Sequence, residues 1–360
     1  MEYHKEIVSA ITPGPWRRVY PFLRPLLQLG LATALLAGLL WRVDVASVRD
    51  ELENATLWWL PLAFAAVLVS HWFRALRWQV FFRPMQPVSV PFLFGTAVLG
   101  VACNLTLPLR AGEVVRVQVL RRRTGLSVSS ILATVVAEKL MDVVAFCSFI
   151  IVGAVLYEEA RFLWPLAVLY GALLAGGVFA ARWLALRSGQ PRPRLISQPA
   201  GRVRAWLATE LDAFGAGLQA FRRPAAVFKI VWTSHVAWLI EAVVYYSCGQ
   251  ALGLDLSPAV YLLVVVAASL AVSVPLTQAG LGVFELALTG LVVAFGIGES
   301  QAAAFAIFSH VVLALPYLVA GPLAAIAMRL SFSDILFLRV AADQVGEQTV
   351  TAASTADVGV

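Results

Sequence analysis

Six stretches of this chain run for about 20 residues with almost no charge, near 22–41, 57–73, 128–156, 162–182, 227–249 and 299–328. Each is long enough to cross a hydrocarbon core of roughly 30 Å. Inside such a core every backbone N–H and C=O must be bonded within the protein, which a helix achieves in a single segment. The stretches therefore predict an all-α polytopic membrane protein. With 60% hydrophobic and 13% charged residues, against about 25% charged in soluble domains, a water-soluble core is excluded.

Two further apolar stretches, 88–107 and 259–295, contain or lead into proline–glycine breaks. The first break reads Asn104-Leu105-Thr106-Leu107-Pro108-Leu109-Arg110-Ala111-Gly112-Glu113. The second reads Ala271-Val272-Ser273-Val274-Pro275-Leu276-Thr277-Gln278-Ala279-Gly280, then Gly282 and Glu285. After each comes a Gly-[Leu/Ile]-x-x-Ser turn, Gly125 to Ser129 and Gly296 to Ser300, that opens a long apolar run. Paired broken helices are the sequence mark of inverted-repeat transporter cores.

Charge orders these segments across the bilayer. Arginines cluster at 17–24, 74–83, 110–123, 182–204 and 222–223, whereas the other loops carry Asp44, Asp50, Glu51, Glu53, Glu158, Glu159 and Asp255. The positive-inside bias puts both termini, including segment 1–24, in the cytoplasm. The first broken stretch then enters and leaves on the cytoplasmic side, and the second dips in from outside. An offset of about 171 superposes unit 57–156 on unit 227–328, with Gly125 on Gly296 and Glu138 on Ser309. The expectation is about six full spans plus two re-entrant helical hairpins in an inverted repeat. For 259–295, two complete crossings remain an alternative by length.

Other segments are less constrained. The first span has no small-residue cleavage site and is expected to be an uncleaved anchor. The cytoplasmic linker 183–226 holds a Pro/Arg-rich stretch and then Val203, Trp206, Leu207, Leu211, Phe214 and Leu218 at helical spacing. This amphipathic helix either lies on the inner leaflet or packs against the cytoplasmic ends of the repeats. Residues 342–360 are small, polar and aperiodic, and are expected to be disordered. Cys103, Cys147 and Cys248 sit in apolar runs and are expected to be packing residues. No spacing suggests a metal site or a cofactor. The net charge of +6 is distributed as loop arginine, which favours anionic lipid over nucleic acid as partner.

The charged residues at membrane depth carry the functional reading, because such groups are costly and normally face a polar interior. Arg110, Glu113 and Arg116 follow the first break, with Glu113 and Arg116 one turn apart. Glu138, Lys139 and Asp142 lie about ten residues into the next span, Lys139 and Asp142 at pairing distance i, i+3. Arginine forks suit phosphate, so these residues form a candidate headgroup site, with a buried structural network as the bland alternative. In the second unit Gln278 and Glu285 are substrate-binding candidates. Glu241, flanked by Trp238, Ile240 and Val243, and His310 are candidate proton-coupling groups. Pro108, Gly112, Pro275, Gly280 and Gly282 are the hinge residues.

These residues resemble the flippase-like transmembrane domain of lysylphosphatidylglycerol synthases, a family that includes stand-alone membrane members. Its first motif matches Asn104, Pro108, Arg110, Gly112, Glu113, Arg116, Glu138, Lys139 and Asp142. Its second matches Pro275, Gly280, Gly282 and Glu285 with one extra residue after the proline. The resemblance spans roughly 25–330. It implies an inner-membrane protein that moves anionic phospholipids or polyprenyl-linked lipids between leaflets. No soluble aminoacyl-transferring domain follows the last span, so the expectation is a transporter rather than an enzyme. The competing expectation is a non-transporting lipid-binding or scaffold subunit of an envelope lipid or glycan biosynthesis complex, with homo-oligomers also admitted.

Overall fold

A computed structural model describes residues 15–107, 110–187, 202–273 and 276–330. Pro108, Pro275, the Pro/Arg-rich linker and the 342–360 tail lie outside them. The described residues form helices and contain no strand. In chain order the helices are α1 (Pro15–Arg42), α2 (Val45–Glu53), α3 (Leu60–Phe82), α4 (Val90–Thr106), α5 (Ala111–Thr124) and α6 (Val128–Leu156). They continue with α7 (Trp164–Arg187), α8 (Arg202–Gly217), α9 (Pro224–Ala251), α10 (Val260–Ser273), α11 (Val283–Ala294) and α12 (Glu299–Ala327). Five helical stretches meet the length and hydropathy of a full crossing; α1 and α2 pass that test only when taken together, and they are bent by 93° at their junction. Asp44 caps α2 at that bend by accepting from Ser47 Oγ (2.7 Å) and the Ala46 amide (3.1 Å). Those bonds, Ser47's first, hold its carboxyl below the ordinary range.

The two units share one plan: a long helix, two short ones, a long one. Helices α6 and α12 are each 29 residues long and begin at Val128 and Glu299, the expected offset. Helices α10 and α11 have 14 and 12 residues, about 21 and 18 Å at 1.5 Å per residue. Neither reaches across a bilayer, which removes the two-crossing alternative. Both short pairs are hairpins. In the first, Gly112 lies so close to α4 that a β-carbon on it would come within 1.8 Å of the Gly100 carbonyl oxygen, and its amide donates to Asn104 Oδ1 at 2.9 Å.

The units interlock. Helix α3 packs along α9, α4 against α12, and α10 against α6. Gly321 meets Ala102, and Gly153 meets Leu263, with no room for a side chain between them. One apolar core accordingly draws Val98 and Ala145 from the first unit and Tyr245, Val264 and Phe305 from the second. All three cysteines are buried in the packing. Helix α8 docks on the start of α6: Ser130 Oγ donates to the Ala213 carbonyl at 2.8 Å and Ser129 to Glu210. Of its apolar stripe, Leu218 is buried and Leu211 is exposed.

Candidate functional site

The interlocked units enclose a cavity of about 300 Å³, lined from both hairpin tips and from α3, α6, α9 and α12, with Gln28 contributed by α1. Its first-unit wall is a charged lattice. Arg77, 2% exposed, donates through Nη1 to Asp142 Oδ1 at 2.7 Å and to Ser234 Oγ at 3.0 Å. Its Nη2 lies 3.8 Å from Glu138 Oε1. Arg116 joins Glu138 (2.8 Å) to Glu113 (3.3 Å). Arg74 sits between Asp142 (3.9 Å) and Glu241 (3.6 Å). Buried charge is tolerated only when it is paired and hydrogen-bonded, and three arginines here serve four carboxylates.

Aromatic faces hold two of those arginines in place. The Arg74 guanidinium stacks 3.7 Å from the Trp238 ring centre, and Arg116 lies 4.2 Å from that of Trp78. The indoles are fixed in turn, Trp238 Nε1 donating to Asp142 (2.9 Å) and Trp78 Nε1 to Thr134 (2.9 Å). Asp142 therefore pairs with Arg77, Arg74 and Trp238, not with Lys139 as the i, i+3 spacing suggests. Lys139 lines the cavity instead.

The hairpin tips cap each other. Helix ends leave carbonyls without intrahelical partners. At the first tip, Gln278 of the second hairpin donates to the carbonyls of Leu107 (2.8 Å) and Asn104 (3.0 Å). Reciprocally, Arg110 of the first hairpin donates to the carbonyl of Val272, near the end of α10. Both breaks turn through a non-glycine residue in the left-handed region, Arg110 (φ 54°) and Ala279 (φ 55°). Such backbone is sparsely populated outside glycine.

Asn104, Arg110, Glu113, Arg116, Glu138, Lys139, Asp142 and Gln278 all line this cavity, together with Gly280, Glu241 and His310. Glu285 does not line it. Its carboxylate accepts from the Gly282 amide at 2.6 Å, closing the first turn of α11, and bonds His310 Nδ1 at 2.6 Å. His71 bonds the Tyr317 hydroxyl at 2.8 Å. Sequence reasoning missed Arg74 and Arg77 by ending the span at 73 and assigning both to the cytoplasmic arginine belt. Helix α3 in fact runs to Phe82. The apolar positions Ala75, Trp78, Phe81 and Phe82, continuing at helical spacing, were the signal. Trp78, Trp238 and Tyr317 were likewise overlooked.

Comparison with known proteins agrees with this architecture. The chain is 26% identical to "Glycosyltransferase AglD" of Haloferax volcanii, over 90% of this chain and 57% of that protein. It thus spans little more than half of that relative's length. Two proteins called "UPF0104 membrane protein" are also similar. That of Methanothermobacter thermautotrophicus is 24% identical over 78% of this chain and 89% of its own. That of Methanocaldococcus jannaschii is 28% identical over 51% and 76%. The family described as "Lysylphosphatidylglycerol synthase TM region" matches residues 26–321. With that match covering most of its length and its two broken-helix hairpins, the chain belongs to this family of multi-pass membrane proteins.

Proposed function

We propose that the protein is a lipid translocase that carries an anionic phospholipid or polyprenyl-linked lipid across the bacterial cytoplasmic membrane, with both termini inside, and that it acts as a transporter rather than an enzyme. The observation that supports this most is the charged cavity between two interlocked units of like plan. Ionisable groups at membrane depth mark substrate pathways, and half-helix ends meeting at the repeat interface form the binding sites of such transporters. The headgroup would be held by Arg110, Arg116 and Lys139. Alternating access would come from rocking of the units, and Glu241 is the candidate proton-coupling group. Reconstituted protein should accelerate leaflet exchange of a fluorescent anionic phospholipid in liposomes. Arg110→Gln should slow that exchange by about tenfold, the cost of one charge-assisted bond. No acceleration by purified protein would sink the reading.

A second reading rests on AglD, a longer protein named a glycosyltransferase. Here the membrane unit binds a lipid and scaffolds a partner enzyme of envelope lipid or glycan synthesis. Lipid retention without leaflet exchange would favour it.

A further inference from the structure

Resting on the translocase reading, we infer that the cavity takes lipids whose headgroup is compact and carries one negative charge, a phosphodiester, and discriminates against diphosphate-linked and net-neutral headgroups. The charge balance of the lining carries this. Five cationic side chains, Arg74, Arg77, Arg110, Arg116 and Lys139, face four carboxylates, Glu113, Glu138, Asp142 and Glu241. Each carboxylate lies within 4.0 Å of Arg74, Arg77 or Arg116. The two remaining cations are Arg110, which donates to a backbone carbonyl, and Lys139. Neither has a carboxylate partner as close as those of the other three, so the lining carries a surplus of one positive charge.

One buried negative charge neutralises that surplus. A diphosphate brings a second, and an uncompensated buried charge is strongly unfavourable. A zwitterion brings its own cation and leaves the surplus in place. The volume sets only an upper bound on the headgroup, since about 300 Å³ is at the low end of the roughly 300–1,000 Å³ of ligand sites. An independent mark of a ligand comes from the second hairpin tip. Thr277 lines the cavity and is 5% exposed, yet among the described residues its hydroxyl has no partner. On the arginine wall the Nε atoms of Arg77 and Arg116 are also buried and have no partner among the described residues. Buried polar groups are normally satisfied, and phosphodiester oxygens supply acceptors of the required kind. Glycerophospholipids and polyprenyl phosphosugars share this chemistry.

The test is binding to the full chain in detergent by microscale thermophoresis. The probes are dihexanoyl phosphatidylglycerol, farnesyl phosphoglucose, farnesyl diphosphoglucose and dihexanoyl phosphatidylcholine. At least one phosphodiester should bind about tenfold more tightly than both the diphosphate and the phosphatidylcholine, and which of the two does so identifies the source. Glu113→Gln adds a second surplus charge and should shrink the phosphodiester-to-diphosphate ratio to about threefold or less. Arg116 keeps Glu138 in that variant, and a monodisperse elution profile checks its fold. Diphosphate binding as tight as phosphodiester, no binding by either phosphodiester, or an unchanged ratio in Glu113→Gln overturns the inference. Selective binding without leaflet exchange would instead refute transport while leaving the headgroup class standing.

Discussion

Ser70 and Glu241, 171 residues apart, are joined by a 2.6 Å hydrogen bond from the serine hydroxyl to the carboxylate. The separation equals the repeat offset, so the bond links equivalent positions of α3 and α9. The pair joins the two units directly at the cavity end of α3 and α9. Glu241 also lies 3.6 Å from Arg74. Glu241→Ala would leave Arg74 with Asp142, at 3.9 Å, as its one remaining carboxylate among the described residues, and should cost about 3–5 kcal/mol of stability. Glu241→Gln keeps a partner for Ser70 and should fold. If Glu241 carries the coupling proton, this variant loses acceleration of transport by a pH gradient, which proteoliposomes with and without the gradient will show.

The Arg77–Asp142 pair separates stability from transport. Arg77→Gln takes from buried Asp142 its 2.7 Å cation and leaves it Trp238 and the more distant Arg74; it should destabilise the protein by about 3–5 kcal/mol, read as a lowered unfolding temperature in detergent. The double variant Arg77→Met with Asp142→Leu removes both charges and should recover most of that loss. It should not recover leaflet exchange, because the cavity wall has lost its charge pattern. Full transport in the double variant would make the lattice purely structural.

Glycine substitutions test the hairpins. Gly112→Ala drives a methyl into the Gly100 carbonyl at 1.8 Å, and at Gly280 (φ 83°) a β-carbon meets Val272 Cγ1 at 2.8 Å. Gly112→Ala and Gly280→Leu should each abolish leaflet exchange. Around Gly171 and Gly176 nothing lies within 4 Å of a built β-carbon, and leucine at either should be tolerated. Transport by Gly280→Leu alongside failure of Gly176→Leu would move the mechanism away from the repeat interface.

Cross-capping at the tips predicts a further asymmetry. Gln278→Leu leaves the Leu107 and Asn104 carbonyls without their donor at about 1–3 kcal/mol. Hydrogen exchange at the end of α4 should therefore rise in this variant, although the substitution is made in the other hairpin. Unchanged protection there would show that the tips are held by packing alone.

Topology is open to direct labelling, because the three native cysteines are buried. An introduced cysteine at Arg122 should be shielded from an impermeant thiol reagent in intact cells, and one at Glu159 should react. Labelling of both from one side would refute the opposed orientation of the units.

The long helices and both hairpins were legible because their causes are local. Apolar length sets the first, and proline with glycine sets the second. Even the α6 and α12 boundaries fall within a residue of the expected spans. The cavity wall was less legible. An arginine at the end of an apolar run has the same local sequence whether it faces water or a buried carboxylate. Arg77 is resolved only by Asp142 and Ser234, 65 and 157 residues away. Glu285 differs again: an acid three residues into α11 reads equally well as ligand or as cap, and in the structure it bonds the Gly282 amide and His310.

The interlocking of the units also sets a timetable for synthesis. Ala102 in α4 must find Gly321 in α12, roughly 200 residues later, which a ribosome adding about 5–20 residues per second supplies after some 10–40 s. For the first part of that interval Arg77 awaits Ser234, and for longer the carbonyls at the first tip await Gln278. Biogenesis therefore calls for an insertion machinery that shelters a half-made protein until its last helix arrives.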